Sequence, residues 1–146
     1  MSNMIIEGRK LGLEFNISIW GWRPIHALIC LSNHIGSSFL GIDMLKDMTH
    51  KKQAGPSSQH VCNELADRME TLIKVPDMLK DLDINIVNGY LEIPLKIGHM
   101  VVNKEGKVIP ESEEFSDQKI SAYRVSIKRV EEFIKFLRLC GGFKVC

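Results

Sequence analysis

Leu13-Glu14-Phe15-Asn16-Ile17-Ser18-Ile19-Trp20-Gly21-Trp22-Arg23-Pro24 is the stretch whose reading decides this fold. Its first seven residues are apolar at every odd position, the period-two pattern of a half-buried strand. Both tryptophans of the chain follow. Pro24 then fits the first turn of a helix, where a missing N–H costs nothing. Ile25, Leu28 and Ile29 recur at helical spacing, so a helix is expected from about Arg23 to Asn33. Carrying the strand parity through the junction places Trp20 in the core with Leu13, Phe15, Ile17 and Ile19. It leaves Trp22 on the opposite side with Arg23, where Trp22 either covers the end of the helix or stands exposed with Arg23 as a pair of the residue types enriched at interface hot spots.

Working outward, this early strand is expected to start near Met4, with an interruption at Gly8. Between Ile35 and Gly55 no period holds, and Gly36-Ser37-Ser38, Gly41 and Lys51-Lys52-Gln53-Ala54-Gly55-Pro56 read as breakers and loop. Ser57 or Ser58 caps a helix whose apolar stripe is Val61, Leu65, Met69, Leu72 and Ile73, supported by the i,i+4 pair Glu64 and Arg68 and running to about Lys74. Pro76 ends it, and residues 77–82 could add one short helical turn. β-Formers return in Ile84-Asn85-Ile86-Val87, Leu91-Glu92-Ile93 and Met100-Val101-Val102, with Glu105-Gly106 resembling a tight hairpin turn before Val108-Ile109. Pro94 keeps its strand at an edge or ends it. The acidic stretch Glu111-Ser112-Glu113-Glu114-Phe115-Ser116-Asp117 reads as an exposed loop. Finally, Ser126 caps a helix with Ile127, Val130, Phe133, Ile134 and Leu137 on one stripe, and Gly141-Gly142 supplies a left-handed stop. Lys135 and Arg138 suit the negative end of its dipole. This order predicts an α+β fold in one domain over 1–146, a mainly antiparallel sheet packed against two or three amphipathic helices.

Composition bounds the function. The chain has 146 residues, 45% hydrophobic and 25% charged, with 19 Lys plus Arg against 18 Asp plus Glu, a formal charge of +1. It is long enough to bury a core without metal or disulfide support. With no net field, nucleic-acid binding and attraction to an anionic membrane are disfavoured. The start shows no basic leader followed by an apolar run, so a cytoplasmic protein is expected. The longest apolar stretch, Pro24 to Leu31, is too short to span a bilayer.

Motifs that announce chemistry are missing: there is no G-x-S-x-G, Walker loop, G-x-G-x-x-G or H-E-x-x-H. Cys30, Cys62, Cys140 and Cys146 form no C-x-x-C pair. Three read as small core residues, and Cys146 as an exposed thiol. No two of His26, His34, His50, His60 and His99 have the spacing that puts two imidazoles on one metal from one helix. A nucleophilic Cys30 or Cys62 with a histidine base is weighed against buried thiols, and burial is the expectation. No catalytic, cofactor or metal residue is therefore assigned. The candidate partner-binding residues are Trp22, Arg23, Glu111, Glu113, Glu114 and Asp117, the four carboxylates as groups that steer association.

The strand ending in Trp-Gly-Trp-Arg-Pro, the helix after Ser57-Ser58 and the run from Val125-Ser126 to Gly141-Gly142-Phe143 look like a family of small uncharacterised bacterial proteins. In size and in lacking a catalytic signature, the chain resembles the immunity proteins of contact-dependent growth inhibition and related polymorphic toxin systems. That resemblance implies a non-catalytic cytoplasmic protein that binds one cognate toxin domain and blocks it. Many immunity proteins against nucleases are strongly acidic, and this near-neutral chain departs from them. The departure implies a toxin of another kind, or contact through the acidic loop alone. Two alternatives stand beside it: a small enzyme gathering His26, His60 or His99 with a carboxylate, and a homodimer formed through an exposed sheet edge.

Overall fold

The computed structural model describes residues 3–10, 12–34, 40–49, 53–75, 77, 79, 84–93, 100–102, 108–110 and 123–146. Strand β1 (Asn3–Gly8) pairs antiparallel with β2 (Glu14–Ser18), and helix α1 spans Ile19–His34. A short helix α2 (Ile42–Asp47) and a long α3 (Gln59–Lys74) follow. Then come β3 (Asn85–Val87), β4 (Tyr90–Ile93), β5 (Met100–Val102), β6 (Val108–Pro110) and β7 (Tyr123–Ser126). Helix α4 (Ile127–Leu137) and β8 (Phe143–Val145) complete the described elements. The fold is α+β, as expected, but the antiparallel strands divide into sheets β2-β1-β8, β3-β4-β7 and β5-β6 rather than one.

The first sheet obeys the pleat. Met4 lies opposite Ile17, Ile6 opposite Phe15 and Val145, and all five are buried on one face. Ile5, Glu7, Glu14 and Asn16 fall on the other face. In the second sheet Leu91 pairs with Val125 and Ile93 with Tyr123 on the inner side. Its hairpin turns on Asn88-Gly89, both at positive φ (51° and 81°), the two-residue turn whose twist matches the strands it joins. The expected hairpin strands around Glu105-Gly106 do pair, Val102 opposite Val108, with residues 103–107 outside the described part. Residues 111–117 also lie outside it.

Three caps set the helices. Ser58 and Ser126 accept from the amides of Val61 and Arg129, as their sequence positions foretell. The third was not foreseen: Ser18 Oγ accepts from the Gly21 amide at 3.2 Å, so α1 begins at Ile19, four residues early. Pro24 therefore stands inside the helix, unable to donate to the Trp20 carbonyl. Beyond the cap, parity gives way to a 100° rotation per residue, and Trp22 joins Ile25, Leu28 and Ile29 on the buried face. The expected sides of the two tryptophans are thus reversed: Trp22 is fully buried, and Trp20 is 49% exposed.

Trp22 also explains α2, which no sequence period marked. Its indole Nε1 donates to the Met48 carbonyl at 2.9 Å, and His26 Nε2 donates to the Leu45 carbonyl at 2.7 Å. Further along α1, buried Asn33 donates to the Leu40 carbonyl and accepts from the Leu40 amide. Three α1 side chains thus satisfy backbone groups of residues 40–48, which α2 alone would leave unpaired. Met48 and Leu45 add their own side chains to the core.

α3 and α4 pack against each other, and Arg138 reaches from the end of α4 to Asp67 (2.8 Å) and Glu70 (3.2 Å) on α3. Gly141 (φ 72°) and Gly142 (φ 102°) turn the chain into β8, and a Cβ on Gly142 would fall 2.6 Å from the Ser57 backbone. β8 then pairs with β1 and is flanked by residues 53–56, whose carbonyls at Ala54 and Pro56 accept from Val145 and Phe143. Phe15, Trp22, Phe133, Phe136 and Phe143 interlock at centroid distances of 5.2 to 6.4 Å, in one cluster with the buried residues of both three-stranded sheets and all four helices.

Substituting Trp22 by Ala should lower unfolding stability by about 3–5 kcal/mol, a cavity plus an orphaned Met48 carbonyl. Trp20→Ala should cost about 1 kcal/mol, the worth of an exposed aromatic stack. Equilibrium urea unfolding checks the order, and a larger loss at Trp20 would refute the assigned faces.

Candidate functional site

Because the cap turns Trp20 outward, its indole finds a partner at the start of β7. The ring stacks on Tyr123 with centroids 5.0 Å apart and planes at 26°. Tyr123 is buried beneath it. Arg23, the next residue but two, brings its guanidinium within 5.8 Å of the same Tyr123 ring. Its Nε is buried, and nothing among the described residues accepts a hydrogen bond from it. Of the expected pair Trp22 and Arg23, only Arg23 is at the surface, half-buried; the aromatic member is Trp20 instead.

Beside this cluster lies a cleft of about 400 Å³ lined by Asn16, Ile17, Ser18, Gly21, Arg124, Val125 and Arg129. It sits where β2 hands over to α1 and faces β7 and the first turn of α4. Arg124 is exposed and stacks over Tyr90 at 4.8 Å. Arg129 lies 4.2 Å over the Phe15 ring and donates to the Asn16 carbonyl and to Glu132. Two arginines from different elements thus line the cleft, and Arg23 stands next to it. Tyr90 and Val87 add exposed apolar surface on the second sheet.

A second cleft, between α3 and α4, has a floor of Ile73, Ile127 and Ile134. Two of the charges at its rim are already engaged: Lys74 holds Glu70 at 2.9 Å, and Arg138 reaches the same carboxylate at 3.2 Å. These contacts also hold the Glu70 carboxyl below the usual range, Lys74 contributing most, while Asp67 and Glu70 raise Arg138.

The histidines do not converge on a pocket among the described residues. His60 is exposed in the first turn of α3, the His34 side chain is not described, and His50 and His99 lie outside the described part. His26 comes nearest to a site, because Cys30 follows one turn later. The Cys30 sulfur is 3.8 Å from Nε2 and 3.9 Å from Nδ1. A sulfur equidistant from both nitrogens lies over the ring rather than in line with the Nδ1 lone pair. Burial lowers the His26 pKa, with Arg23 adding to the effect and the Leu45 carbonyl opposing it. Burial raises the Cys30 thiol. Both shifts favour a neutral thiol and a neutral imidazole, against the ion pair a nucleophilic cysteine needs.

Cys62 and Cys140 are buried, as expected of core thiols, whereas Cys30 is only half-buried. Cys146 is half-buried as well, not exposed, because β8 brings its thiol 3.4 Å from a Glu7 carboxylate oxygen. No group of three or more metal-ligating side chains occurs among the described residues, and no described helix is long and apolar enough to cross a membrane.

Sequence reasoning missed Trp20, Arg124 and Arg129. The signal for Trp20 was Ser18, a strong N-cap residue four places before Trp22. Nothing local marks the two arginines, which meet only because β7 and α4 pack against β2. No protein-family model, curated protein or solved structure matches this chain.

His26 supplies a test of this geometry. Its folded pKa lies below the unfolded value of about 6.5, so the unfolded chain binds more protons as pH falls. Stability should be full above about pH 6.5 and decline below it. His26→Gln, which keeps a donor for Leu45 but cannot titrate, should flatten that decline. Urea midpoints across this pH range read it, and an unchanged slope in the variant would place the proton uptake elsewhere.

Proposed function

We propose that this chain is a non-catalytic binding protein of the immunity type, which holds a cognate toxin domain in a one-to-one complex and blocks it in the cytoplasm. The observation that carries this reading is Trp20: half its surface is open, yet stacking on Tyr123 fixes it, and beside it stands the Arg23 guanidinium, whose buried Nε has no acceptor among the described residues. An exposed aromatic that is already immobilised loses little entropy on docking, which is what makes Trp and Arg effective anchors. Helix α1 and strand β7 hold these groups, so the surface is formed before any partner arrives.

Arg23 and Arg124 give the surface a positive character, Arg129 being held by Glu132, and the partner face that complements them carries carboxylates. Glu111, Glu113, Glu114 and Asp117 precede β7 in the chain, and their proposed part is to steer association through basic groups elsewhere on the same partner. The resemblance to immunity proteins supplies the class of partner.

The test is a complex with the toxin domain encoded next to this chain. Wild-type protein should bind it one to one and relieve its toxicity on coexpression. Trp20→Ala combined with Arg124→Glu should weaken binding by at least about 100-fold, the loss of one anchor and one charge contact. Undiminished protection by this variant, at unchanged unfolding midpoint, would remove the surface from the interface.

A further inference from the structure

Cys62 and Cys140 are 78 residues apart in sequence, yet their sulfurs lie 3.7 Å from each other in the core. Cys62 is in the first turns of α3, and Cys140 is in the turn after α4. Gln59 locks the two elements together, donating to the Leu137 carbonyl at 2.8 Å and accepting from the Gly141 amide at 2.6 Å. The remaining separation to a disulfide of about 2.05 Å is under 2 Å, within reach of small side-chain rotations.

The surroundings of this pair differ from those of an inert core thiol. Arg9 and Lys10 arch over it: the Arg9 amide donates to the Gly142 carbonyl, and the Lys10 amide to the Cys140 carbonyl, at 2.8 and 2.9 Å. A Cβ on Gly141 would touch the Lys10 side chain and one on Gly142 the Arg9 side chain, so both cations cross the glycine turn closely. Both residues are exposed, and two backbone hydrogen bonds hold this cover shut.

We propose that Cys62 and Cys140 form a redox-active dithiol that closes to a disulfide on reaction with a peroxide. One of the two, as the thiolate, is the attacking sulfur. It attacks one peroxide oxygen, the O–O bond breaks, and the departing hydroxide takes up a proton to leave as water. The resulting sulfenic acid is then attacked by the other sulfur. The S–S bond forms, the S–O bond breaks, and the second oxygen leaves as water with the proton released by the second thiol. Two thiols and one peroxide give one disulfide and two waters, the sulfurs losing two electrons and the peroxide gaining them.

The contact between the sulfurs assists the first step. The Cys140 thiol donates to the Cys62 sulfur at 3.7 Å and to the Leu137 carbonyl at 3.5 Å, so a proton kept on one sulfur can stabilise a thiolate on the other. The link would join the start of α3 to the end of α4 across a 78-residue loop. It tightens the contact that Gln59 and Arg138 already make.

The experiment treats the purified full chain with hydrogen peroxide, blocks residual thiols, and maps cysteine peptides by mass spectrometry beside a thermal melt. The expected product carries a Cys62–Cys140 cross-link, with a melting temperature raised on the order of 10 °C and restored by dithiothreitol. Cys62→Ala and Cys140→Ala should each abolish the shift, whereas Cys30→Ala and Cys146→Ala should retain it. Peptide mapping of the wild type keeps the test decisive if a core variant folds poorly. Recovery of both cysteines as free thiols, or of either one as sulfinic acid without a cross-link, would overturn the proposal. None of these outcomes bears on the partner-binding surface, which lies on α1, β7 and the first turn of α4, at the opposite end of that helix from Cys140.

Discussion

A single hydrogen bond, from the Gly21 amide to Ser18 Oγ, fixes the rest of this structure. It ends a strand and starts a helix at a point where the apolar pattern would tolerate either. Starting α1 at Ile19 sets its rotational phase, and that phase sends Trp22 inward and Trp20 outward. Trp22 then hangs α2 from its indole and meets Phe133 edge-on at 5.7 Å, joining the first helix to the last. Trp20 covers Tyr123 and joins α1 to the second sheet. Start the helix at Arg23 instead, and neither contact can form.

The elements legible in the sequence are those whose stability is local. α3 and α4 carry full apolar stripes and serine caps, and β2 alternates cleanly, so these three stand where the periods place them. The Gly141-Gly142 stop is equally local. What escaped depends on distant partners. α2 has six residues and exists because Trp22, His26 and Asn33 satisfy the backbone around it. β8 has three residues, too few to show a period, and is held by β1 and by residues 53–56. Asn88-Gly89 was different: the turn signal was present, and Glu105-Gly106 drew the hairpin reading instead.

The candidate site shows the same division. Its arginines come from α1, β7 and α4, and only packing gathers them, so no spacing could reveal the cleft. The tryptophan pair was visible as a feature, but its sides were assigned by carrying a strand rule past a capping serine. Correcting the phase moves the surface anchor from Trp22 to Trp20 and gives Arg23 an aromatic neighbour on β7. The proposed partner surface is therefore a consequence of the same cap that organises the core. Trp22, one helical face away, cannot be removed without disturbing α2, whereas Trp20 can change with little harm to the fold.

Acrylamide quenching of tryptophan fluorescence in Trp20→Phe tests this account most directly. The variant leaves Trp22 as the one indole, with its face against Phe133 and its N–H on the Met48 carbonyl. A buried Trp22 gives blue-shifted emission that acrylamide barely quenches, with the quenchable part of the wild-type signal lost. Red-shifted, readily quenched emission from the remaining indole would contradict it, and the helix would then have to begin after Trp22.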